Sequence, residues 1–134
     1  MSAGQSTGVT IQPEDALARF IYSSSHFSHE NKRVKHNAFM PAADNKTSVY
    51  HTEELSEAET WAIGEEVAQK RKQTLHARGD IIAAEVSKVS LRLVPTETPP
   101  HHANIEDWPA EKSAQKLKAI DLADAAKLVI RPGH

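Results

Sequence analysis

The chain contains no cysteine. That excludes a disulfide framework, a thiolate metal site and a cysteine nucleophile. Glycine is scarce, with five in 134 residues, and those five form neither a G-x-G-x-x-G nor a Walker phosphate loop. No G-x-S-x-G elbow is present for a serine nucleophile. Neither H-E-x-x-H nor H-x-H occurs, so no metal and no cofactor are expected. The longest uninterrupted apolar run is Ile81-Ile-Ala-Ala84, far below the length of a membrane span. Neither sign of charge dominates: 16 basic residues face 18 acidic ones, for a net charge of -2. The electrostatic footprint of nonspecific nucleic-acid binding is therefore missing. The first eight residues lack the basic and apolar regions of a secretory signal, and a cytoplasmic location is expected.

What is present fits one small folded domain. Hydrophobic residues make up 39% and charged residues 25%, and the length supports a single core. Residues 1–13 are small and polar and end at Pro13, so a flexible arm is expected ahead of a domain over 14–131. Residues 18–23 and 47–52 carry the β-branched and aromatic content of strands. On the second, Val49 and His51 share one face and Ser48 and Tyr50 the other. Ser56-Glu-Ala-Glu59 spells a capping box, opening a helix over about 56–72 with acidic residues at its start and Lys70-Arg-Lys72 at its end. Arg78-Gly-Asp80 reads as a turn. Residues 81–86 and 89–94 read as two strands joined through Ser87 and Lys88. A second helix is expected over about 109–127, opened by Pro109. Together these elements predict an α+β single domain with a mainly antiparallel sheet of about four to five strands and two main helices.

Two stretches fall outside this periodicity. Residues 26–46 form a long polar connection, and such loops are often functional. Residues 95–109 hold four of the seven prolines, together with His101, His102, Asn104 and Trp108. The chain has eight histidines, a residue that titrates near neutrality and serves as acid or base. His51, His102 and Arg19 are the catalytic candidates, with the histidines as acid and base and Arg19 or Arg33 paired with a phosphate. Arg19, Ser48 and Glu85 also follow the Arg, Ser, Glu order of one class of ADP-ribosyltransferase folds, a spacing many α+β domains share. Trp108 is an interface-anchor candidate because tryptophan is enriched at binding hot spots.

The runs Ala38-Phe-Met-Pro41, Thr47-Ser-Val-Tyr50 and especially His102-Ala-Asn-Ile-Glu-Asp-Trp-Pro109 resemble a family of small bacterial proteins that brings no activity with it. The resemblance implies a bacterial source and nothing about mechanism. The leading expectation is a binding or accessory module with a protein or nucleotide-containing partner, engaged through His101, His102, Asn104, Trp108 and Arg33. The alternative is a small enzyme acting on a phosphoester or nucleotide.

Overall fold

Alternation along six strands builds the sheet of the computed structural model, which describes residues 10–96 and 98–132. In chain order the elements are β1 (Ala16–Ile21), β2 (Phe27–Ser28), β3 (Arg33–Val34), β4 (Thr47–His51), α1 (Glu57–Arg71), β5 (Ala77–Ile82), α2 (Ala84–Lys88), β6 (Arg92–Pro95), β7 (His102–Glu106), α3 (Lys112–Ala125) and β8 (Lys127–Ile130). The sheet order is β6-β7-β4-β1-β5-β8, with every neighbouring pair antiparallel. β2 and β3 pair separately as a small hairpin. The chain is an α+β single domain, but among the described residues it has six strands in its main sheet and three helices rather than four to five and two.

The two faces of the sheet are covered by different layers. Leu17, Ile21, Val49, Ala77, Ile81, Ala103 and Ile105 turn one way and form the larger core with Leu122, Ala123, Phe39 and Trp108. Ala18, Phe20 and Tyr50 turn the other way and meet Ala68 and Leu75, with Trp61, Ile63 and Val67 packed alongside. So α3, α2 and the β2–β3 hairpin lie on one face, and α1 lies on the other. No residue of β6 or β7 belongs to the α1 cluster.

Helix α1 starts where the sequence places it. Ser56 Oγ accepts from the Glu59 amide at 3.1 Å while Glu59 Oε1 accepts from the Ser56 amide at 2.9 Å, closing the capping box. Its glycine is a packing site: a Cβ on Gly64 would lie 2.8 Å from the Phe20 ring and from Leu75 Cδ2. At its end Lys72 takes a left-handed conformation (φ 56°) and its amide reaches Ala68 O and Gln69 O.

Three local expectations change. Arg78, Gly79 and Asp80 are not a turn but the middle of β5, paired with both β1 and β8. Arg78 is tolerated there because Glu57 (2.8 Å), Asp80 (2.9 Å) and the Trp61 ring (4.7 Å) surround it. The hairpin through Ser87 and Lys88 does not form, because Ala84–Lys88 is helical and β6 sits at the far edge, with three strands between it and β5. Alanine, glutamate and lysine favour helix there over the strand that the isoleucines and valine imply. The 95–109 stretch contains the fully paired strand β7, with Ala103 and Ile105 inward. Of the expected arm, residues 1–9 lie outside the described residues. Residues 10–13 join the body: Pro13 O accepts from the Ala84 amide at 2.8 Å and Ile11 packs on the core.

Candidate functional site

A break in the centre of the sheet creates the site. β1 and β4 pair only at Leu17–His51 and Ala18–Tyr50. At the next position Arg19 supplies the missing links with its side chain. Its Nε donates to Ala38 O at 2.6 Å and its Nη1 donates to Ser48 O at 2.9 Å. Arginine suits this role because its rigid fork addresses two acceptors at once. Its Nη2 makes no hydrogen bond among the described residues.

Beside this plug, between α1 and the sheet, a cleft of about 200 Å³ is lined by Arg19, Tyr22, Ser48, Tyr50, Arg71 and His102. Arg71 reaches in from the last turn of α1, with its guanidinium 5.6 Å from the centre of the Tyr22 ring. Burial pushes the Arg19 guanidinium down to about 10, and the like charge of Arg71 adds to that effect. Burial likewise pushes the Tyr22 hydroxyl up to about 12. Among the described residues no carboxylate forms an ion pair with Arg19 or Arg71.

His102 enters the cleft from β7 because its register partner is Tyr50, on the α1 side of β4. Its ring meets Tyr50 edge-on, with centroids 5.3 Å apart. Nε2 lies 3.1 Å from Ser48 Oγ and Nδ1 lies 2.6 Å from Thr96 Oγ1. Burial lowers the basicity of His102, so its neutral form is favoured near pH 7. A second, less polar groove of about 100 Å³ adjoins the cleft. It shares Tyr50, Val67 and Pro99 with the cleft and adds Ile63, Lys70 and His101.

The other sequence candidates lie elsewhere. His51 sits on the opposite face of β4 from Tyr50, where its Nε2 meets Asp15 Oδ2 at 2.9 Å. A shared acid–base role for His51 and His102 is therefore not built, because strand alternation turns them apart. Arg33 lies on the hairpin beyond the other face, 3.7 Å from Asp124, and does not reach His102. Trp108 is only 4% exposed and its Nε1 donates to Ile105 O at 3.1 Å, so it serves the core instead of a surface. Asn104 is half-buried on the same face as His102, across from Ser48. Glu85 sits on α2 beside Lys88, 3.2 Å away, so the Arg, Ser, Glu order does not converge. The 26–46 connection and the 95–109 stretch are in contact, with Asn45 Nδ2 donating to Trp108 O at 3.0 Å.

Tyr50, Tyr22, Arg71 and Thr96 belong to the site without having been singled out for it, and Ser48 was named only within the Arg, Ser, Glu order. Only the shared face of Ser48 and Tyr50 was readable in sequence. A larger cleft of about 450 Å³ lies by Ile11, Pro13 and Leu91, but among the described residues its one charged lining residue is Arg92, already paired with Asp107 and Glu106. Among the described residues no three metal-ligating side chains gather, and no helix is long and apolar enough to cross a membrane. No family model, curated protein or solved structure matches the chain.

Proposed function

We propose that this domain binds a phosphate-bearing ligand of nucleotide type in the cleft between α1 and the sheet. The observation that carries the reading is that two guanidiniums, Arg19 and Arg71, line one cleft and act on each other electrostatically. Like charges held together oppose their own ionisation, and the lowered basicity of Arg19 reflects that cost beyond its burial. An anion between them removes the repulsion and gains charge-assisted hydrogen bonds. The adjoining groove supplies Ile63, Val67, Pro99 and the Tyr50 ring, an apolar and aromatic surface suited to a flat base or sugar.

Isothermal titration calorimetry with inorganic phosphate, ribose 5-phosphate, AMP and adenosine tests the reading. AMP is expected to bind more tightly than phosphate, and adenosine at least about tenfold more weakly than AMP. Arg71→Ala is expected to weaken AMP by about tenfold or more, the value of one charged hydrogen bond. Equal affinity for AMP and adenosine, or an Arg71→Ala variant that binds AMP like wild type, defeats the proposal.

A further inference from the structure

Resting on that reading, we infer that Ser48 is a nucleophile toward the bound phosphorus centre, with His102 as its base and Thr96 as the residue that positions His102. The three side chains come from β4, β7 and the turn after β6, so only the paired sheet assembles them. Ser48 Oγ and His102 Nε2 are 3.1 Å apart, and His102 Nδ1 and Thr96 Oγ1 are 2.6 Å apart. That is the arrangement of nucleophile, base and orienting group used in covalent catalysis.

The role of base needs the tautomer with its hydrogen on Nδ1. Thr96 Oγ1, 2.6 Å away, accepts that hydrogen when its own hydroxyl hydrogen turns to His102 O at 3.3 Å or Thr98 O at 3.4 Å. The Nε2 lone pair is left facing the Ser48 hydroxyl, as a general base requires. Burial keeps the imidazole neutral, in agreement with that role. Ser48 is also tied to the anion site through its own backbone, since Arg19 Nη1 holds its carbonyl at 2.9 Å.

The step balances with the phosphoester and water alone. Ser48 Oγ forms a bond to phosphorus as its proton passes to His102 Nε2. The bond from phosphorus to the leaving oxygen breaks, and that oxygen departs with the electron pair and takes the proton from Nε2 where it needs one. A leaving oxygen that stays ionised leaves the proton on Nε2, from which it passes to solvent. Water then gives a proton to His102 Nε2 as it attacks phosphorus, the Oγ–P bond breaks with its electron pair on Oγ, and His102 returns the proton to Ser48, freeing inorganic phosphate. Arg19 and Arg71 hold the charge that builds on the non-bridging oxygens.

The experiment uses the full chain and p-nitrophenyl phosphate, reading p-nitrophenolate release and the intact mass after an acid quench. Wild type is expected to release p-nitrophenolate and to show a phosphoryl adduct on Ser48. Ser48→Ala is expected to do neither. His102→Gln is expected to be slowed about 100-fold, the scale of a lost general base. Thr96→Val is expected to slow release and to displace the pH inflection that wild type shows on the acid side of neutrality, which a merely structural role does not move. A wild type without release, or a Ser48→Ala variant that turns over at the wild-type rate, overturns the inference. Calorimetry with inorganic phosphate on wild type and Ser48→Ala separates the two failures. Phosphate binding without turnover refutes the nucleophile alone, whereas no phosphate binding refutes the anion site beneath it.

Discussion

Gly64→Ala tests how α1 sits on the sheet, and with it the wall of the cleft. In an isolated helix the change favours folding by about 1 kcal/mol, because glycine is the poorer helix former. Here the added Cβ meets three atoms at 2.8 Å: Leu75 Cδ2 and the Cδ1 and Cε1 atoms of Phe20. The leucine methyl is the end of a flexible side chain and can swing away. The Phe20 ring cannot do so easily. It is 4% exposed and packed against Tyr50 with centroids 5.6 Å apart. Overpacking of this kind costs about 1–3 kcal/mol, which outweighs the propensity gain and leaves a net loss of about 1 kcal/mol. With a urea slope of about 1–3 kcal/mol per molar, the midpoint falls by roughly 0.3–1 M. Trp61 on α1 and Trp108 in the opposite core report on both faces by fluorescence. Because Val67 and Arg71 lie one and two turns further along the same helix, outward displacement of α1 also opens the cleft and weakens AMP. A midpoint that rises in Gly64→Ala shows that α1 does not press on Phe20, and the described cleft goes with it.

Ser56→Ala removes the acceptor for the Glu59 amide and is expected to lower stability by about 1 kcal/mol in the same urea titration; an unchanged midpoint refutes the cap. Arg78→Met is expected to cost about 1–2 kcal/mol and to shift Trp61 emission. The loss stays below that of a fully buried pair because Glu57 is 73% exposed and rehydrates once abandoned. His102 and His26 are both less basic in the folded chain, mainly through burial. The unfolded chain therefore takes up their protons first, so stability is complete above about pH 6.5 and declines as pH falls toward their lowered values. Urea midpoints across pH 5–7.5 are expected to show that decline, flattened in His102→Gln, and a pH-independent midpoint refutes it. Asp15, Glu57 and Glu59 are more acidic than usual, held by the Gln12 amide, Arg78 and the Ser56 amide respectively. Their contribution is complete above the ordinary carboxylate range and declines as pH falls through their lowered values, so a second acid loss is expected below about pH 4, read by circular dichroism.

The sequence alone determined the local elements whose signals are short-range. The capping box, the face of α1, the alternation in β1 and β4 and the α+β class all follow from residues within one or two turns of each other. Even the hidden strand β7 had its signal, since Ala103 and Ile105 alternate with His102, Asn104 and Glu106, although the surrounding prolines obscured it. Tertiary structure decided everything that depends on which strand lies beside which. Arg78 and Asp80 look like turn residues until Glu57 and Trp61 arrive from α1 to surround them. His51 and His102 look like partners until strand alternation places them on opposite faces. The stretch from 95 to 109 was a site by composition. Of its residues, His102 enters the cleft and Trp108 is core, because one faces α1 and the other the larger hydrophobic layer. Ser48 meets His102, and Arg19 and Arg71 come to line one cleft, only through pairings across residues 29 to 54 apart in sequence and the docking of a helix. Those contacts depend on long-range packing, which no local pattern of residues encodes.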